Sequence, residues 1–127
     1  MKIRIKGNAL RYRLTRSEVE QFALTGQLQE KINFGNNALY YSLHSSTQEQ
    51  LSASFTGNHI TVYIPENLID QWITTDQVGF EHRMQLEGPE QETLYLLVEK
   101  DFTCMDKVDE DQRDHYPNPL LKHSYEQ

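Results

Sequence analysis

Five cations alternate with apolar residues near the start of the chain: Lys2, Arg4 and Lys6 in "KIRIK", then Arg11 and Arg13 in "LRYRL". Side chains two apart on a strand share a face. If both stretches are strands of one hairpin, these cations line a single surface. Guanidinium groups match planar carboxylates and phosphates. Lys2, Arg4, Lys6, Arg11 and Arg13 thus form a candidate site for a small anion or an acidic protein partner. The plainer alternative is that the same cations meet acids of their own chain. Glu81, Glu99 and Asp101 fall on the polar faces of later strands and are the acids placed to do so.

A curved sheet carrying cations and carboxylates on its inner face suggests a second chemistry, a metal-dependent phosphohydrolase of the triphosphate-tunnel type. Glu81, Glu99 and Asp101 would then be the metal ligands. Such enzymes open on a Glu-x-Glu-x-Lys-like strand, and the stretch here, "KIRIKG", lacks its acids. Other clusters are weaker. Cys104, His115 and His123 do not have zinc spacing, and "DKVDEDQRD" lacks the central glycine and terminal glutamate of a calcium loop. His82 lies on the apolar side of its stretch with Phe80 and Met84, as a core histidine would, whereas His44 and His59 fall on polar sides. No catalytic residue and no cofactor is implied, and the sequence reads as a binding domain more than an enzyme.

The elements that must position the cations follow from periodicity. Gly7-Asn8 turns the first strand into the second. Thr15 and Glu18 form a capping box, Leu14 and Val19 a hydrophobic staple, and Gly26 a stop, which predicts a short helix. Further alternation runs through Leu28–Phe34 and "ALYYSLH", then through "LSASFTGNHITVYIP", a hairpin about Gly57-Asn58. After Pro65, "ENLIDQWITTD" reads as a second helix, followed by strands in "VGFEHRMQLEG" and "ETLYLLVEKDF". The last of these is the most apolar and should be central. No βαβ rhythm and no internal repeat is visible. The expectation is an α+β, β-dominated fold: an antiparallel sheet or barrel of seven to eight strands, two short helices and an irregular C-terminal strap.

A chain of 127 residues is the size of one domain. We divide 1–127 into a sheet-and-helix body (1–102), an acidic strap (103–121) and a frayed tail (122–127). The net charge of −7 is unevenly spread, because residues 1–16 hold six of the twelve basic residues and no acid, while residues 87–114 hold ten acids. An overall negative field disfavours long nucleic acid. No stretch approaches the length of a membrane span, no signal peptide is visible, and the single cysteine suits a reducing compartment. The sequence therefore suggests a cytoplasmic protein with no membrane partner, a monomer or small homo-oligomer.

The opening "KIRIKGNALRYRLTRSEVE" and the closing "VEKDFTC…DEDQRDHYPNP" together resemble a family of small bacterial proteins, found mainly in the Bacteroidetes, that is a domain of unknown function. The resemblance implies a bacterial cytoplasmic single-domain protein and assigns no catalytic or binding residue. Its two distinctive stretches are also the cationic and anionic ends. This suggests that residues 103–121 wrap back over the sheet and lay their acids against Arg4, Arg11 or Arg13.

Overall fold

The computed structural model describes residues 1–102. Alternation becomes strand in β1 (Lys2–Lys6), β2 (Ala9–Leu14), β3 (Gln27–Asn33), β4 (Ala38–Ser46), β5 (Ser52–Thr56), β6 (His59–Pro65), β7 (Gly79–Gln85) and β8 (Thr93–Lys100). Two helices interrupt them, α1 (Arg16–Thr25) between β2 and β3, and α2 (Glu66–Thr74) between β6 and β7. The β-dominated α+β class holds. Helix α1 starts where its capping box dictates: the Glu18 amide donates to the Thr15 hydroxyl at 3.3 Å and the Thr15 amide donates to the Glu18 carboxylate at 2.8 Å. It ends at Gly26 with φ 75°, a left-handed conformation open to a residue without Cβ. Among the described residues no helix is long and apolar enough to cross a membrane.

The strands form two four-stranded sheets. Sheet A has the order β1-β2-β8-β7 and sheet B the order β3-β4-β6-β5. Each of the four hairpins pairs antiparallel, as their short turns require. The central strands do not, since β2 runs parallel to β8 and β4 parallel to β6. The single antiparallel sheet or barrel expected from sequence adjacency is thus corrected to two mixed sheets. Period-2 patterning sets which face a strand buries, but carries no information on which distant strand lies beside it.

The fold is also an internal duplication that the sequence does not display. β1-β2-α1-β3-β4 and β5-β6-α2-β7-β8 have the same order, and each half gives one hairpin to each sheet. Exchanging the halves turns β1-β2-β8-β7 into β5-β6-β4-β3, which is sheet B. The registers coincide position by position. Arg4 faces Arg11 as Ser54 faces Thr61; Leu10 faces Leu96 as Ile60 faces Tyr41; Phe80 faces Val98 as Leu28 faces Leu43. The helices agree as well, with Val19 and Phe22 buried on α1 where Ile69 and Trp72 are buried on α2.

One core serves both halves. Leu10, Tyr12, Phe80, Leu96 and Val98 from sheet A join Leu28, Leu43, Val62 and Ile64 from sheet B, and the buried helix residues belong to the same cluster. Because Leu10, Tyr12 and Leu14 turn inward, Arg11 and Arg13 between them must face away from the core. The outer surface of sheet A is therefore set by the same alternation that builds the core.

Candidate cationic sheet face

All five cations singled out in the sequence come to the outer face of sheet A. The cross-strand rows define its layout: Lys2–Arg13–Glu99, Arg4–Arg11–Leu97–Glu81, and Lys6–Ala9–Tyr95–Arg83. Two members, Arg83 and Tyr95, escape sequence reasoning. Alternation in "GFEHRMQ" puts Arg83 on the polar side of β7. That this side adjoins the first hairpin follows only from the parallel β2–β8 pairing.

Glu99 is the hub of the face. The residue is only 7% exposed. One of its carboxylate oxygens accepts from the Nε atoms of both Arg11 and Arg13, each at 2.8 Å. Burial alone would raise the Glu99 pKa, but the hydrogen bonds and charges of Arg13 and Arg11 outweigh it and hold the carboxyl below the ordinary glutamate value. At one end of the face the Lys2 ammonium lies 3.1 Å from Asp101. At the other, the Tyr95 hydroxyl donates to Glu81, and the Arg83 guanidinium sits 5.1 Å from the Tyr95 ring centroid, within cation–π range. Donating that hydrogen bond is the chief reason the Tyr95 pKa is raised, with burial second.

The sequence candidates therefore separate into two sets. Arg11 and Arg13 share a carboxylate, and Lys2 has Asp101. Arg4 and Lys6 are exposed and, among the described residues, have no hydrogen bond or ion pair. The intramolecular acids come from β8 and the residue following it. The strap expected to supply them, residues 103–121, lies outside the described residues, as do Cys104, His115, His123 and the tail.

Glu81, Glu99 and Asp101 are not gathered as metal ligands. Each is engaged by a different partner, and among the described residues no group of three His, Cys, Asp or Glu could hold a metal ion. The space between the sheets is filled by Tyr12, Leu43, Trp72 and their neighbours and is no tunnel. The geometry gives the triphosphate-tunnel alternative no support. His82 is half-buried on the same side of β7 as Phe80 and Met84. His44 and His59 face outward on sheet B, His59 stacked on Tyr40 at 4.4 Å between ring centroids and His44 tilted against Tyr63 at 6.2 Å.

The duplication supplies an internal comparison for the cationic face. Lys2, Arg4, Lys6, Arg11 and Arg13 occupy the positions that Ser52, Ser54, Thr56, Thr61 and Tyr63 occupy in the other half. The same hairpin, in the same register, is thus built twice in one chain, once with five cations and once with none.

A family model described as a family of unknown function (DUF7009) matches residues 1–120. No curated protein and no solved structure matches the chain. The family match spans the whole duplicated fold, the cationic face, and most of the acidic segment that follows. The chain belongs to this family of unknown function.

Proposed function

We propose that the outer face of sheet A binds an acidic polypeptide segment. Arg4 and Lys6 make its free contacts, with Lys2, Arg11 and Arg13 alongside. The observation that carries this reading is the internal comparison: a cation required by the scaffold would be needed in both halves, and the second half uses Ser, Thr and Tyr instead. Like charges directly opposite on a ladder destabilise it, yet Arg4 faces Arg11. In a chain of net charge −7, this face locally reverses the field and would draw acidic partners.

Its shape favours an extended partner over a small ion. Cations two residues apart stand about 7 Å apart along a strand, the repeat of alternate side chains in an extended peptide. β1 is an edge in the order of sheet A, where an added strand can lie. Charged edges also guard against aggregation, but β5, the equivalent edge of sheet B, has the uncharged sequence SASFT. In this reading the chain is a bacterial cytoplasmic binding domain without turnover of its own.

The test is a titration of the full chain, followed by amide NMR, with an alternating Glu-Ser peptide, its Gln-Ser counterpart and pyrophosphate. The acidic peptide alone should shift Arg4, Lys6 and Arg11, with affinity falling as salt rises. The Arg4→Ser/Lys6→Thr double variant installs residues the other half already uses, and it should keep the fold and lose binding. Equal binding of both peptides, a response to pyrophosphate alone, or binding that survives the double variant would overturn the reading.

A further inference from the structure

The outer face of sheet B is the counterpart of the cationic face and has the opposite character. Of its three cross-strand rows, two hold only Gln, His, Ser, Thr and Tyr, and the third holds one charge, Lys31. In sheet A every equivalent row carries charges. The scaffold does not require the difference, because the same register underlies both faces. Four aromatic rings stand on the two central strands of sheet B. Tyr40 stacks on His59 at 4.4 Å between centroids, and His44 is tilted against Tyr63 at 6.2 Å. Tyr40 and His44 are four residues apart on β4, as His59 and Tyr63 are on β6, so the two ring pairs lie about 13 Å apart. Between them stand Thr61 and Ser42, whose hydroxyl donates to the Gln29 amide oxygen at 3.2 Å. At the α1 end of the face, Gln21, Thr25, Gln27, Leu28, Gln29 and His44 line a groove of about 380 Å³. No acid, Lys or Arg is among them, and among the described residues the side-chain amides of Gln21 and Gln27 have no hydrogen-bond partner.

We propose that this face binds a neutral oligosaccharide. A charged ligand would meet no matching charge on it beyond Lys31, and taking an unpaired charge out of water is costly. A neutral sugar carries none. Its rings offer C–H faces that rest against aromatic rings, and its hydroxyls exchange hydrogen bonds with amides and hydroxyls. The two ring pairs are too far apart for one sugar unit, so the ligand is a chain, with one end in the groove where Gln21 and Gln27 have amides to give. A second copy of the protein fits less well. Four strands about 4.8 Å apart and three rows about 7 Å apart make a face of about 400 Å², short of the ~800 Å² that each partner of a stable dimer covers. The face lies across the core from Arg4 and Lys6, and its ligand does not depend on what the outer face of sheet A binds.

Titration of the full chain with maltohexaose, cellohexaose, glucose and hexagalacturonate, read by amide NMR, tests the proposal. At least one of the two neutral hexaoses should give saturable shifts at Gln27, Tyr40, His44 and Thr61, at concentrations where glucose and the anionic hexagalacturonate give none. His44→Ala/His59→Ala takes one outward-facing ring from each pair. It should abolish those shifts while Tyr12 and Leu96, in sheet A, keep their native resonances. Gln21→Ala/Gln27→Ala alters only exposed side chains and should weaken the same binding, which keeps the test open if the histidine variant fails to fold. No saturable shift with either neutral hexaose, equal binding of hexagalacturonate, or shifts that survive both double variants would overturn the assignment. So would concentration-dependent shifts of the same residues in the protein alone, which would make a second copy the occupant.

Discussion

Glu99 on β8 stands where His44 stands on β4, each beside the second strand of a first hairpin: Glu99 pairs with Arg13 in the ladder, and His44 with Tyr63. One half fills the position with a buried carboxylate between two guanidinium groups, the other with an imidazole against a phenol. The carboxylate is thus a consequence of the cations around it. Replacing Glu99→Gln keeps one acceptor oxygen but removes the negative charge between Arg11 and Arg13 and should lower stability by about 1–3 kcal/mol. Arg11→Thr leaves Glu99 its bond from Arg13 and should cost less. Urea midpoints of the two variants give the order directly, and a costlier Arg11→Thr would refute it.

The pH dependence of that contribution has a definite sign. The folded Glu99 carboxyl titrates below its ordinary value, so its contribution is complete above the unfolded pKa and is lost as pH falls through the folded one. The stability gap between the native chain and Glu99→Gln should stay constant from neutrality to about pH 5. It should then close as acid passes the ordinary glutamate range near about 4.3. Glu18, whose pKa is also lowered, titrates in both proteins and cancels from the difference. A gap undiminished at about pH 3 would show that the Glu99 charge contributes nothing.

Local features were legible in the sequence because they are written in neighbouring residues. Thr15, Glu18 and Gly26 bound α1, Gly7-Asn8 and Gly57-Asn58 turn the β1–β2 and β5–β6 hairpins, and alternation gave the inward and outward face of nearly every strand. The pairing of distant hairpins was not legible. Parallel contacts such as Leu10 with Leu96 join residues far apart in the chain, and nothing at either residue encodes the other. The duplication was hidden for a related reason. Only core positions and turns must match between the halves, as Phe22 and Trp72 or Gly7 and Gly57 do, while outward positions such as Arg4 and Ser54 have diverged. A fifty-residue spacing between the two Gly-Asn turns was the available clue. The candidate site was legible as a set of cations, and Glu99 and Asp101 as acids able to meet them. Which cations lack a partner among the described residues depended on the register.

Glycines at two kinds of position should respond differently to alanine. Gly7 and Gly57 have φ of 55° and 59° with open space around them, so each substitution carries only the left-handed backbone penalty, about 1 kcal/mol. The two costs should agree, because the turns are equivalent. Gly79 is different. A Cβ there would lie 2.0 Å from the Val98 carbonyl oxygen and 2.7 Å from the Glu99 Cα. Both are backbone atoms, so β7 must move off β8, and the cost should reach about 3 kcal/mol. Denaturation midpoints of the three variants check the ranking, and a mild Gly79→Ala would mean the β7–β8 contact is looser than described.

Arg4 decides between a face that serves the fold and a face that serves a partner. It is exposed, stands opposite Arg11 on the ladder, and occupies the position that Ser54 fills in the other half. A residue there for stability should cost something when removed. One held against like-charge repulsion should cost nothing, or return a few tenths of a kcal/mol at low salt. We expect Arg4→Ser to leave stability unchanged or slightly raised in dilute buffer, with any gain fading as salt screens the Arg4–Arg11 repulsion. The same substitution should weaken binding of the alternating Glu-Ser peptide. A cation that gives the fold nothing and the complex something is retained for the complex. A loss of more than about 1 kcal/mol on Arg4→Ser would exceed the ordinary scale of exposed charges, and would place Arg4 among the residues that hold sheet A together.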